Sequence, residues 1–251
     1  MTAAVDLNAD LGEGAATDEA LLAIITSANI ACGGHAGDEE TMRRAVRLAR
    51  ARGVGVGAHP SYPDREGFGR RVIPMPLEQL TEILAGQIQV LSDIAEAEEV
   101  RLQHVKAHGA LYNLAVGDET VADAIGRAML RVDPALIAVA LAGAAMGDVL
   151  ARLGLRVVRE AFVDRGYTAA GTLVSRDRPG ALITDPVEAG ARAVRMVRSG
   201  LVTSVEGNDV RVAAQTLCVH ADTPGSPSIA AAARSALEES GVCVVPMREL
   251  P

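Results

Sequence analysis

Lysine is almost absent from this chain of 251 residues: Lys106 is the only one, and every other basic residue except histidine is arginine. Aromatic residues are scarce, with no tryptophan, three tyrosines and two phenylalanines, so the core of a chain that is 49 % apolar must be mostly Ala, Val, Leu and Ile. Cys32, Cys218 and Cys243 are odd in number and form no C-x-x-C pair, which favours reduced thiols in a cytoplasmic protein. No apolar run approaches the roughly 20 residues that a membrane span needs. The opening MTAAVDLNADLGEG lacks the basic region and long apolar stretch of a signal peptide. With 24 basic against 32 acidic residues the net charge is −8, which argues against nucleic acid or an anionic membrane as partner. There is also no G-x-x-x-x-G-K-[ST] loop for phosphates and no G-x-S-x-G nucleophile elbow.

What is present alternates. Short runs rich in Val, Ile and Leu predict strands at about 3–7, 28–33, 53–58, 102–107, 136–141, 155–160 and 212–219. Between them, helical periodicity spans about 17–26, 38–52, 76–99, 118–131, 144–153, 185–199 and 227–240. Asp38 stands at an N-cap position, Gly53 and Gly154 follow helix ends, and Pro186 takes a first helical position after Asp185. TSVEGNDVRV, around 203–212, predicts a small hairpin. Repeated β-then-α units imply parallel strands with right-handed crossovers. An open doubly wound sheet would carry its glycine fingerprint after the first strand, but that turn is the acidic DLGEG. The pattern predicts an α/β fold: one domain over 1–251, a parallel TIM-like barrel of about seven strands.

The unusual residues gather where these strands end. The stretches are DLNADLGEG, ACGGHAGDEE, GAHPSYPDREGFGRR, HVKAHGALYN, REAFVDRGY and CVHADTPGS. Four of the five histidines (His35, His59, His108, His220) fall at the carboxyl ends of four different strands, and all five aromatics lie in these stretches, none in a predicted helix. In a parallel barrel those strand ends surround the active-site face. Alternation along strand four puts His104, Lys106 and His108 on one face. Asp10, Glu13, His35, His59, Lys106, His108 and His220 are therefore the catalytic candidates. Asp38, Tyr62, Arg70, Tyr112, Asn113, Arg165 and Asp222 are candidates for holding substrate. Plainer roles compete: Asp18, Asp38 and Asp118 read as helix caps, Cys32 and Cys218 as buried packers, His104 as structural, and Arg70–Arg71 as a solvated pair. Asp10, His35, His59 and His108 also offer ligands for a metal, although no local H-x-x-x-H spacing announces one.

Taken together, LNADLGEG, NIACGGHAGD, GAHPSYPDREGFGRR, VKAHGALYN, EAFVDRGY and CVHADTPGS resemble the LamB/YcsF family, the A subunits of bacterial 5-oxoprolinase. The resemblance runs from about residue 5 to 245. It implies a (βα)7-type barrel of the glycoside hydrolase/deacetylase class. It also implies opening of the 5-oxo-L-proline lactam to L-glutamate, with ATP as co-substrate (Mg accompanying it) and subunits B and C as partners. The departures are Ala9, Ala107 and Ala221, which stand where cysteine, proline and glycine are common in that family; a catalytic cysteine at position 9 is thereby excluded. Two other readings stand beside this one: a metal-dependent deacetylase or amidohydrolase, and a non-catalytic subunit that only binds the lactam. For such chemistry a general base is needed, from Asp10, Glu13 or a neutral histidine, while Lys106, Arg165 and His220 can meet developing negative charge. Because arginine is the habitual cation here, an inward lysine predicts a site that needs a compact ammonium. On that reading Lys106→Met is expected to remove most activity of the reconstituted enzyme with little change in melting temperature.

Overall fold

The computed structural model describes residues 3–251. Strand β1 (Ala4–Leu11) leads to a short helix α1 (Asp18–Leu22), then β2 (Ser27–Ala31), α2 (Glu39–Arg52), β3 (Gly55–His59) and α3 (Leu77–Ala97). The chain continues through β4 (His104–Val105), α4 (Gly109–Ala115), α5 (Glu119–Val132), β5 (Ile137–Leu141), α6 (Ala145–Arg152) and β6 (Arg156–Phe162). Helix α7 (Pro186–Ser199), a hairpin of β7 (Leu201–Thr203) and β8 (Asp209–Arg211), β9 (Thr216–His220), α8 (Ser226–Glu239) and β10 (Cys243–Val244) complete it. Seven parallel strands close in the order β1-β2-β3-β4-β5-β6-β9, with β9 returning to β1. The expected parallel barrel is therefore present.

The outward faces of the strands and the inward stripes of the helices share one core of small aliphatic residues. A second, smaller cluster fills part of the interior: Ile137, Val139 and Val158 pack on Met247 and Leu250. β10 pairs with Ala4 and Val5 at the start of β1, and Arg156 donates to the carbonyls of Met247 and Leu250. The C-terminal segment thus plugs the amino end of the barrel and leaves the carboxyl end open.

Three local differences from the sequence reading matter. β1 runs on to Leu11, so Asp10 is a strand residue facing inward rather than a loop residue. β4 is only two residues long, yet its ladder continues through Lys106 N–H to Ala58 O (3.0 Å) and His108 N–H to Pro60 O (2.9 Å), which preserves the expected alternation. The unpredicted helix α4 follows at once from Gly109 (φ +55°), where a Cβ would meet the Gly69 carbonyl oxygen at 2.6 Å. It carries Tyr112, so one aromatic does sit on a helix. The caps behave as their chemistry dictates: Asp38 and Thr41 form a reciprocal capping box on α2, and Asp118 and Asp185 cap α5 and α7. Asp18 caps nothing; it lies inside α1 and accepts from the Gly12 N–H.

Candidate active site

Alternation along β1 turns Asp6, Asn8 and Asp10 into the barrel, because side chains two apart share a face. They meet the inward residues of β2, β4, β6 and β9. Deepest, the Asp6 carboxylate accepts from the hydroxyls of Thr26, Ser27 and Thr216. One layer up, the Asn29 amide donates to Asn8 Oδ1 (2.8 Å) and Asp10 Oδ1 (2.8 Å), while its oxygen meets His104 Nε2 at 2.9 Å. His104 needs an unusual neighbour: a Cβ on Gly57 would lie 2.1 Å from its Nε2, so β3 must carry glycine there. Burial first, then the charges of Lys106 and His59, hold the His104 imidazole neutral, its pKa down at about 3. The expectation that His104 is structural agrees with these contacts.

At the next level stands Lys106, 2 % exposed. Its ammonium sits 2.9 Å from Asp10 Oδ1, 2.9 Å from Glu160 Oε1 and 3.0 Å from the Cys218 sulfur. Burial works against the charged lysine, but the adjacent anions outweigh it and raise its pKa well above the ordinary value. Burial pushes the Cys218 thiol well up, so it stays protonated and the anionic partners are the two carboxylates. Glu160 in turn accepts from Asn8 Nδ2 (3.1 Å) and the Tyr112 hydroxyl (2.8 Å). The lone lysine is fully paired and fixed.

Above it opens a cavity of about 420 Å³ at the carboxyl end of the strands. Asp10, Glu13, His59, Lys106, His108 and His220 line it, as do Arg70, Tyr112, Asn113, Arg165 and Asp222. His35 lies behind this wall, joined to Glu13 Oε1 (2.8 Å) and stacked on His108 at 3.6 Å. Two sequence candidates are not brought in. Tyr62 is buried in the core, and Asp38 is a surface helix cap. Arg165 reaches the cavity, but its guanidinium donates to the carbonyls of Val174 and Ala181, bracing the loop after β6. Arg70 and Arg176 converge on Asp222 at the mouth, whereas Arg71 is held by Asp64.

Residues missed by the sequence reading complete the picture. Asp164 accepts from His220 Nδ1 (3.1 Å), the His220 backbone N–H (3.0 Å) and the Thr223 hydroxyl (2.6 Å). Burial opposes its charge, but His220 and these donors hold the carboxyl below its usual range. An ionised carboxylate only accepts, so His220 carries its proton on Nδ1 and leaves Nε2 as a base. The ring also stacks on Phe162 (5.1 Å, 13°). Glu160 and Asp164 both lie in REAFVDRGY; the signal was one carboxylate on an inward position of the strand and another just past its end. On the opposite wall, Glu13 is held well below the usual carboxylate range, burial being outweighed by His108, His35 and His59. His59 is shifted up, burial being outweighed by Asp10. The arrangement supplies an oriented imidazole, a fixed ammonium and a carboxylate around one small polar cavity. That is the equipment of amide hydrolysis.

Comparison with known proteins finds relatives along the whole length. The 5-oxoprolinase A subunit from Chloroflexus aggregans is 48 % identical over 245 residues, covering 96 % of this chain and 97 % of that one. The crystal structure of a lactam utilization protein from Thermus thermophilus superposes with a TM-score of 0.91 at 45 % identity, covering 97 % of this chain and all of that one. A T48 deacetylase, 14 % identical with a TM-score of 0.51 over 98 % of this chain and 89 % of its own, shares the fold alone. The LamB/YcsF family profile matches residues 5–251, and the chain belongs to that family.

Proposed function

We propose that this chain is the hydrolytic A subunit of a cytoplasmic, ATP-dependent 5-oxoprolinase that opens 5-oxo-L-proline to L-glutamate together with subunits B and C. The observation that carries the reading is a cavity holding the Asp164–His220 dyad and the paired Lys106, in a chain so similar along its length to a 5-oxoprolinase A subunit. A five-membered lactam is a weak electrophile, and ATP would supply activation by phosphorylating its oxygen. Here the sequence has no P-loop, and Arg70 and Arg176 are already engaged by Asp222. Phosphoryl donation is therefore assigned to the partner subunits.

The residues of this chain then do three things. His220 Nε2 takes a proton from the attacking water as its oxygen bonds to the lactam carbon, with Asp164 fixing the tautomer. Lys106 faces the developing negative charge with a rigid ammonium held by Asp10 and Glu160. The protonated imidazole returns its proton to the ring nitrogen as the carbon–nitrogen bond breaks, giving the free amine and an acyl phosphate, and a second water then displaces inorganic phosphate to leave the side-chain carboxylate of glutamate. Tyr112 and Asn113 bound the cavity where the substrate ring would lie.

The test is ATP-dependent release of glutamate from 5-oxoproline by the chain alone, by subunits B and C alone, and by all three. Turnover only in the full mixture is expected. Full turnover by B and C without this chain would assign it a non-catalytic role, and full turnover by the isolated chain would remove the need for partners.

A further inference from the structure

The histidine wall contains more acceptors than hydrogens to join them. His59 Nδ1 lies 2.6 Å from the Lys106 carbonyl and His108 Nε2 lies 2.9 Å from the Phe68 carbonyl. Carbonyls only accept, so each ring spends one N–H outward, and in its neutral form it turns an unprotonated nitrogen inward. Those two nitrogens, His59 Nε2 and His108 Nδ1, are 3.0 Å apart. Glu13 Oε1, an ionised acceptor, is 3.1 Å from His108 Nδ1, 3.7 Å from His59 Nε2 and 2.8 Å from His35 Nε2. Lone pairs placed so close repel unless something positive lies among them.

We infer that Glu13, His35, His59 and His108 form a binding site for one divalent transition-metal ion of the zinc type. Their four donor atoms all lie within 4.8 Å of one another, and all three rings are buried. Bonds of about 2.0–2.1 Å in a tetrahedron place ligand atoms about 3.3 Å apart, in the midst of the separations observed. Three imidazoles and one carboxylate are a donor set suited to zinc. The outward bonds of His59 and His108 to backbone carbonyls are the usual support of metal-bound imidazole. Phe68 offers its carbonyl from a left-handed backbone (φ +55°), a conformation unfavourable for a phenylalanine and held by the loop around it. Among the described residues His35 lacks such support, its Nδ1 being buried without a partner, and it is positioned by stacking on His108 instead.

Charge balance points the same way. Asp10 and Glu160 share a single ammonium, and the Glu13 carboxylate has only histidine rings within ion-pair distance. Lys106 does not oppose the ion directly, since Asp10 stands between, with Oδ1 on the ammonium and Oδ2 3.5 Å from His59 Nε2. The competing occupant is a proton on His108 Nδ1, shared between Glu13 and His59. This inference concerns the histidine wall and stands whichever amide the cavity takes.

The experiment is calorimetric titration of tag-free, chelator-stripped chain with Zn²⁺, together with the visible spectrum of a Co²⁺ adduct. One ion per chain and a tetrahedral cobalt band are expected. His35→Ala and His108→Ala should each weaken binding at least about tenfold, while His220→Ala, which removes a ligand from the other candidate cluster of Asp10, Cys218 and His220, should bind as the parent does. Folding of each variant is checked by circular dichroism. No one-to-one binding by the folded parent would overturn the inference in favour of the shared proton, whether or not the variants fold. Loss of binding in His220→Ala with retention in His35→Ala would move the ion to the other cluster and equally overturn it.

Discussion

The barrel interior holds two buried polar clusters a few residues apart on the same strand, and they are built in opposite ways. Around Asp6 every acceptor meets a hydroxyl, the neighbours are Thr26, Ser27 and Thr216, and the cavity at the carboxyl end is not lined by them. Around Asp10 and Glu13 the neighbours are charged or titratable, several lone pairs face one another, and a cavity of about 420 Å³ opens above. A closed, neutral-donor network fixes strand register; an open one with surplus charge has a free energy that substrate, proton or metal can improve. The difference separates structure from chemistry within one set of inward-facing residues, and it can be tested by substitution at each level.

The largest effect is expected at Lys106. Lys106→Met in the reconstituted enzyme should lower turnover at least ~10²-fold, and Lys106→Arg should restore little, because the planar guanidinium cannot sit between Asp10, Glu160 and Cys218. The structure corrects the expected thermal behaviour. Removing the ammonium leaves two buried carboxylates unpaired, so Lys106→Met should also lose ~3 kcal/mol of stability at neutral pH. That loss should shrink in mild acid, where a carboxyl can take a proton. Denaturant unfolding at two pH values and steady-state rates measure both. An active Lys106→Met, or one as stable as the parent, would erase the distinction drawn for the upper cluster.

Next comes the dyad. His220→Ala should cost ~10²–10⁴ in kcat, and Asp164→Asn should approach it by releasing the wrong tautomer. Asp164 is a positioning residue, so the split between kcat and KM distinguishes its role from a structural one. Asp164→Asn should lower kcat and kcat/KM about equally, and Asp164→Glu, which keeps the acceptor, should recover part of the loss. A raised KM with kcat unchanged would make Asp164 a mere brace for the loop after β6.

Much of this was legible beforehand because it depends on local period and turn chemistry. Strand and helix alternation predicted the barrel, and the gathering of histidines at strand ends predicted the open face. What stayed hidden was pairing across the barrel. Lys106 meets Glu160 only because β4, β5 and β6 adopt one register, and nothing near either residue encodes the partner. Asp38 allows two readings from sequence, substrate contact or helix cap, and a Thr three residues on is the cue to the second. Helix α4 escaped notice because seven residues are too few to show a helical period.

The smallest effect on turnover is expected at Asp6, and it sharpens the comparison from the closed side. Burial outweighs the three hydroxyl donors and raises the Asp6 carboxyl from 3.8 to about 6, a folded-state preference for the neutral acid worth ~3 kcal/mol. Between pH 7 and about 4 the folded chain therefore binds this proton more readily than the unfolded one, and Asp6 contributes stability that grows as pH falls. Asp10 and Asp164, whose folded values are depressed, act the other way. Their stability is present above the unfolded carboxylate range and is lost below it. His35 and His104, held neutral down to about 4 and about 3, also lose stability as pH falls below 6.5, so the parent curve alone mixes opposing signs. The difference between parent and Asp6→Asn isolates the one group. The variant's relative stability should be greatest near pH 7 and decline by up to ~3 kcal/mol on going to pH 4. Turnover should stay within about twofold, since the hydrogen-bonded link from Asp6 to the site above runs through Thr216 and Asn8. Parallel stability curves would mean that Asp6 does not titrate in the fold, and a collapse of activity like that of Lys106→Met would mean that the two clusters work as one.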